Sequence, residues 1–577
     1  MYCLYSRLQS SLLAFLLNFA KISRTPKMRT SVFTASCFLL LAHYIENVAA
    51  TLSCTKAALL PYMPPNTTLQ LVTSVANGGS YGGGSADKDF PASATNLPAL
   101  CAVQMQVHEA ASSYVLGVYL PSTATYNQRF MATGNTGFGG GINWPAMGTF
   151  TQYGFASMST GSGHSSGAGS ATWALNNPEA VLDWDYRAMH GSVVVAKQVV
   201  AAFYKTSIAY SYYSACSGGG RQGLKEVQMF PEDFDGVVAG SPPWQLTHLH
   251  PWALQVGKWN LPLGGPNRIP ASMFLPIKNE IYKQCDPADG LKDGVISAPY
   301  SCKFNATALA CSNTKITSCL KPGPMATFNL LYSDWRDDSG NFLFPPFALG
   351  ASYSTLSGGT TAPSGFGVDF VANFVANDAN YNWTTFNTSV VALAGRATVA
   401  RGNADNFDMS PFQARGGKLI HYHGMADSLI PTGSSILFRE KVANTMKLGT
   451  DGLNEFYRMF LIPGMGHCRN SDVAPWFIAG GGQSIAKSSH SVPGFSDAQH
   501  DAVLAIMSWV ENGTAPDSII ATKFAGDTDK NTVVNQRPIC AYPSLAKWDG
   551  VGNVNSSSSW NCRPGDPISI PQAMLGH

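Results

Sequence analysis

Three residues frame the chemistry this chain can do: Ser217, Asp427 and His467, in that order along the sequence. Ser217 stands in Ala215-Cys216-Ser217-Gly218-Gly219, at the end of the apolar run "IAYSYYSAC". A serine on a sharp strand-to-helix turn needs small residues two positions to either side, because the backbone there is strained and crowded. The common spacing is G-x-S-x-G, and alanine at 215 still fits it. Asp427 closes the run "HYHGMAD", and His467 stands in the glycine loop that ends "FLIPGMGHC". A carboxylate that holds an imidazole, and an imidazole that takes the proton of a serine hydroxyl, turn that hydroxyl into an acyl-transfer nucleophile. Of the other histidines, His421 and His423 lie within a strand and His490 and His500 flank the last helix, so His467 is the expected base.

Serine, acid and histidine in this order, each at the C-terminal end of a strand, is the arrangement of an α/β-hydrolase core. Two cysteines adjoin it. Cys216 precedes Ser217 and Cys468 follows His467, so a Cys216–Cys468 disulfide would fasten the two turns and fix the distance between nucleophile and base. An oxyanion needs two backbone N–H donors. Gly218 is expected to give one, and the glycine loop "TGNTGFGGG" at 133–141 the other, at Asn135 or Thr136. A separate loop, "CDPADGLKDGVISAPYSC" at 285–302, sets Asp286, Asp289 and Asp293 within eight residues. Three carboxylates and nearby carbonyls in a compact loop can supply the six to eight oxygens that calcium takes. A plain solvated acidic turn is the competing reading.

The elements that must position these residues alternate between apolar runs and helical stretches. "CAVQMQVHE", "SSYVLGVYLP", "RFMATGN" and "YGFASMSTG" read as strands, 181–204 as one long helix, and "FDGVVAGSP" as a further strand. The rhythm returns near 417, and such alternation indicates a mostly parallel sheet covered by helices. Between about 246 and 405 it is lost, and that stretch is expected to be an inserted lid domain between core segments at 51–245 and 406–577. Trp244, Trp252 and Phe274 are candidates for its pocket.

Composition narrows the partners. Net charge is +2, and charged residues make up 12% of the chain, against roughly 25% in soluble domains. No basic cluster suits nucleic acid. Residues 1–50 read as an export signal starting at Met1 or Met28, and their apolar runs fall short of the ~20 residues of a membrane anchor. The reading is therefore a secreted, soluble protein of unknown oligomeric state. Ten of the twelve cysteines lie beyond that segment, enough for five disulfides. Six N-x-S/T triplets, at Asn66, Asn305, Asn382, Asn387, Asn512 and Asn555, are candidate glycosylation sites.

"CSGGGRQGL", "FPEDFDGVVAGSP" and "GMGHC" resemble the tannase and feruloyl esterase family, in which a disulfide links the residue before the serine to the one after the histidine. The resemblance implies Ser217, Asp427 and His467 as the triad. It also implies the further bridges Cys54–Cys101, Cys285–Cys302, Cys311–Cys319 and Cys540–Cys562. It implies a structural calcium held by Asp286, Asp289 and Asp293 with the carbonyls of Leu291 and Val295. One departure is Gly218, where fungal tannases carry aspartate. The activity implied is hydrolysis of feruloyl and other hydroxycinnamoyl esters of plant cell-wall polysaccharide, or of a small phenolic ester. Galloyl esters, other aromatic esters such as mono(2-hydroxyethyl) terephthalate, and an inactive secreted binding protein are the alternatives.

Overall fold

Strands buried on both faces need near-continuous apolar sequence, and the inner strands of this chain have it; with the half-exposed edge strand Thr67–Val75, nine segments pair into one sheet. They are β1 (Thr67–Val75), β2 (Leu100–His108), β3 (Ser113–Pro121), β4 (Arg129–Thr133), β5 (Ala156–Thr160), β6 (Tyr210–Cys216), β7 (Gly236–Gly240), β8 (Lys418–Gly424) and β9 (Tyr457–Ile462). Their spatial order is β1-β2-β3-β5-β4-β6-β7-β8-β9. The pairs from β1 to β5 are antiparallel, and every pair from β5 onward is parallel. This is the expected α/β-hydrolase architecture. The structure is a computed structural model and describes residues 51–359, 361–483, 492–526, 532–565 and 568. The export segment at 1–50 and His490 lie outside the described residues.

The helices are α1 (Ala188–Tyr204), α2 (Gly218–Met229), α3 (Leu246–Trp259), α4 (Gly365–Phe370), α5 (Thr432–Met446) and α6 (Ala502–Asn512); α1, α2, α5 and α6 pack on the sheet, and α3 and α4 pack on each other in the segment between β7 and β8. The helix expected over 181–204 is broken into a short helix Pro178–Leu182, a wider turn Asp183–Arg187 and α1. On one face Val237, Ala239 and Leu419 pack with Val193 and Val200 of α1; on the other Val238, Ile420 and Phe460 pack with Ile506 and Trp509 of α6. The described residues from Leu52 onward form one compact unit. Among the described residues no helix is long and apolar enough to cross a membrane.

Parallel register carries the site. Cys216 pairs with Gly240, Tyr422 also pairs with Gly240, and Gly424 pairs with Ile462, so β6, β8 and β9 end side by side. The turns after them hold Ser217, Asp427 and His467. Between β7 and β8 the chain leaves the sheet, and Leu249, Trp252, Phe328, Phe344 and Phe370 form an apolar cluster there that also takes in Phe138 and Trp184 from before the insertion. Trp252 packs against Phe344 and Phe347, Phe274 against Tyr353, and Trp244 joins the sheet cluster with its indole N–H on the Ser434 carbonyl. None of these three aromatics lines either hollow at Ser217, so their role is packing.

Candidate active site

Ser217 has φ 60° and ψ −128°, between the last residue of β6 and the first of α2. A non-glycine residue at such a φ costs on the order of 1–3 kcal/mol and persists only where its surroundings impose it. Here glycine lets α2 close onto the sheet. A Cβ on Gly220 would sit 2.2 Å from the Gly240 carbonyl oxygen, and one on Gly219 would sit 2.6 Å from the Ala215 methyl. Alanine at 215 therefore fits because 219 is glycine.

His467 donates from Nδ1 to Asp427 Oδ2 at 2.8 Å, which leaves Nε2 as the nitrogen that can accept a proton. Asp427 is buried, and its Oδ1 accepts the N–H groups of Leu429 and Ile430, each at 2.9 Å. Burial alone would raise this carboxyl, but His467 and His423 outweigh it and hold Asp427 well below the ordinary carboxylate range. Ser217 and His467 line the same two hollows. Cys216 and Cys468 are bonded, with their Cα atoms 6.0 Å apart, and Cys468 has φ 61°. The other four bridges are Cys54–Cys101, Cys285–Cys302, Cys311–Cys319 and Cys540–Cys562.

The strand histidines have a part in the site that their position in β8 concealed. His423 Nε2 lies 3.0 Å from Asp427 Oδ2, and its Nδ1 lies 2.7 Å from Ser435 Oγ. His421 Nε2 lies 2.8 Å from the same Ser435 Oγ, and its Nδ1 lies 2.8 Å from the Tyr457 hydroxyl. One orientation satisfies the whole chain. Tyr457 O–H donates to His421, His421 to Ser435, Ser435 to His423, and His423 to Asp427. Burial holds His421 well below the usual imidazole range, with His423 adding to the shift, and the neutral form is the one this chain requires. Residues two apart on a strand share a face, which is the signal that places both rings against Ser435.

The expected second oxyanion donors are otherwise engaged. The Asn135 N–H donates to Gln222 Oε1 at 3.0 Å, and the Thr136 N–H donates to Asp89 Oδ2 at 2.9 Å. Asp89 Oδ1 also accepts the Thr136 hydroxyl at 2.6 Å. Burial pushes Asp89 up to about 6 against the pull of these Thr136 bonds. The next residue, Gly137, at φ 42°, lines both hollows, and a Cβ on Gly218 would meet its nitrogen at 3.0 Å. Asn135 and Thr136 anchor the loop, and Gly137 is the residue it presents beside Gly218. The larger hollow, about 710 Å³, runs from Ser217 past Asp89, Asn143, Thr149, Tyr153 and Arg469.

In the acidic loop the three carboxylates turn onto their own backbone. Asp286 accepts the N–H groups of Asp293 and Gly294, Asp289 those of Leu291 and the Ser297 hydroxyl, and Asp293 that of Val295, while Arg537 pairs with Asp293. Among the described residues, the one trio of ligating side chains within 4.8 Å of one another is instead His190, Glu226 and Asp233. There His190 Nδ1 donates to Asp233, and burial, reinforced by Asp233, raises Glu226 well above the usual range. That trio lines neither hollow at Ser217. All six candidate glycosylation asparagines are exposed.

Residues 100–563 match the family model described as tannase and feruloyl esterase. The chain belongs to the tannase and feruloyl esterase family. As a tannase and feruloyl esterase family member it is a carboxylic ester hydrolase. It is 34% identical over 541 residues to a probable feruloyl esterase B-1 of Aspergillus oryzae, spanning 92% of this chain and 94% of that one. The crystal structure of feruloyl esterase B from Aspergillus oryzae superposes with a TM-score of 0.79 at 34% identity, over 87% of this chain and 97% of that one. The tannin acyl hydrolase of Aspergillus niger shares the fold, with a TM-score of 0.70 at 22% identity over 92% of this chain and 97% of that one.

Proposed function

We propose that this protein is a secreted serine esterase that cleaves hydroxycinnamoyl esters, feruloyl esters of plant cell-wall polysaccharide foremost, through an acyl-enzyme. The observation that carries the reading is one constellation. A strained Ser217 and a His467 held by buried Asp427 line one cavity, and the Cys216–Cys468 bond ties their turns together. Ser217 Oγ attacks the ester carbonyl as His467 Nε2 takes its proton. The N–H groups of Gly218 and Gly137 receive the oxyanion, and His467 then protonates the leaving alcohol. Water activated by His467 releases the aromatic acid. The acyl class is taken from the relatives described as feruloyl esterase B and from Gly218. The long, partly polar cavity past Asn143 and Arg469 suits a sugar as the alcohol part. Five disulfides and exposed N-x-S/T asparagines agree with secretion.

The acidic loop has the donor chemistry for a calcium ion. Its carboxylates are hard oxygens within a disulfide-closed loop, and the Leu291 and Val295 carbonyls accept no hydrogen bond among the described residues. Asp286, Asp289 and Asp293 would hold the ion, and calcium there would brace the insertion rather than take part in the reaction. Methyl ferulate, methyl caffeate and methyl gallate compared on the purified protein test the substrate class. Turnover of the first two supports the reading, and turnover of the gallate alone assigns the protein to galloyl esters.

A further inference from the structure

A second hollow adjoins Ser217 and His467, with about 40 Å³ of free space. That admits about three water-sized groups, which suits the leading edge of a flat ring and is too small for a sugar unit. Its walls are apolar: Leu246, Leu249 and Ala253 of α3, with Leu356, Phe366 and Leu429. Two further polar side chains reach it, Arg221 and His250. The two terminal nitrogens of Arg221 are committed elsewhere, donating to the carbonyls of Asp185, Gly402 and Trp184, and the guanidinium lies over the Trp184 ring; its buried Nε alone has no partner.

His250 is different. Only 6% of it is exposed, its ring is held between Phe138 and Phe370 at centroid distances of 4.9 and 4.5 Å, and its buried Nδ1 has no hydrogen-bond partner. The Phe366 carbonyl is the one backbone group that bears on the ring. Burial pushes this histidine down to about 3, so it is neutral. A buried polar group left unsatisfied costs about 1–3 kcal/mol, and such a group in a native site calls for an explanation. With the Phe366 carbonyl facing the ring's N–H, the neutral imidazole keeps its unpartnered Nδ1 as a free acceptor, which complements the O–H of a neutral hydroxyl. It does not complement a carboxylate, because the free Nδ1 and a carboxylate oxygen are both acceptors.

We propose that this hollow receives the aromatic ring of the acyl group and that His250 is a specificity-determining residue that hydrogen-bonds a phenolic hydroxyl on that ring. The proposal rests on reading Ser217 as the nucleophile, because it divides the substrate between two spaces that meet there. The ring enters the small apolar hollow, and the alcohol part lies in the larger cavity.

The test compares kcat/KM for methyl 4-hydroxycinnamate and methyl cinnamate. Wild type should favour the hydroxylated ester by tenfold or more, on the order of one lost buried hydrogen bond. In His250→Phe that ratio should fall to within about threefold of one, and His250→Gln, which keeps a hydrogen-bonding group, should restore part of it. Equal rates on the two esters in wild type, or an undiminished ratio in His250→Phe, would overturn the proposal. Calorimetric titration of the two free acids into Ser217→Ala separates this inference from the mechanism. Tighter binding of 4-hydroxycinnamic acid, lost in the Ser217→Ala/His250→Phe double variant, supports the subsite even if wild type hydrolyses neither ester. Equal binding of the two acids rejects it.

Discussion

Removing the Cys216–Cys468 bond tests whether that bond positions the catalytic turns or only staples the chain. In the chain-entropy treatment its 252-residue separation stabilises by about 5.5 kcal/mol, and the 22-residue Cys540–Cys562 bridge by about 3.4 kcal/mol. Both double-serine variants should therefore lose several kcal/mol, and stability alone would not separate them. Activity should. Ser217 and Cys468 have φ of 60° and 61°, so each flanking turn is held in a conformation that the bond helps to impose. Release of that restraint by about 1 Å at a nucleophile can cost up to 10²-fold in rate. We expect Cys216→Ser/Cys468→Ser to lower kcat on methyl ferulate by about 10- to 100-fold at a temperature where circular dichroism shows it folded. Cys540→Ser/Cys562→Ser should melt lower but keep kcat within about twofold. Equal kcat losses in the two folded variants would refute the positional argument and leave only stapling.

Three further outcomes follow from the site and its surroundings. Ser435→Ala removes the hydroxyl between His421 and His423; it should lower thermal stability by about 1–3 kcal/mol and reduce kcat more than it changes KM, as steady-state kinetics would show. Chelation of calcium should lower Tm without changing kcat well below the melt, and Asp289→Asn should abolish that chelator effect in differential scanning fluorimetry. Glu226 is raised in the folded state by burial and by Asp233. Its stabilising contribution is thus fully present below the ordinary glutamate range and lost as pH rises through its elevated folded value. Glu226→Gln should accordingly show a smaller fall in Tm between pH 5 and pH 8 than wild type.

What the sequence reveals of this fold follows from the sheet. Buried parallel strands read directly as apolar runs, so β6, β7, β8 and β9 and the turns after them are legible from residue types alone. Ser217, Asp427 and His467 come with them, and the cysteines flanking two of the three add a geometric tie. β1 is not legible in this way: it is an edge strand with only Leu69 and Val75 buried among its nine residues, so it lacks an apolar signature. The oxyanion loop is harder still. Gln222 and Asp89 take the Asn135 and Thr136 N–H groups from 87 and 47 residues away, and only tertiary contact decides which amide of a glycine-rich loop is left to face the nucleophile. His250 carries no local signal either, since its meaning lies in the partners it lacks once α3 packs against α4.

The most direct test of the account is to follow methyl ferulate hydrolysis by wild type and Ser217→Ala while recording the intact mass of each protein on mixing. The account predicts a transient feruloyl adduct on wild type, localised to Ser217 by peptide mass spectrometry, and a loss of at least ~10³-fold in kcat for the folded Ser217→Ala variant. Turnover that survives in Ser217→Ala, or an adduct on any other residue, would contradict it.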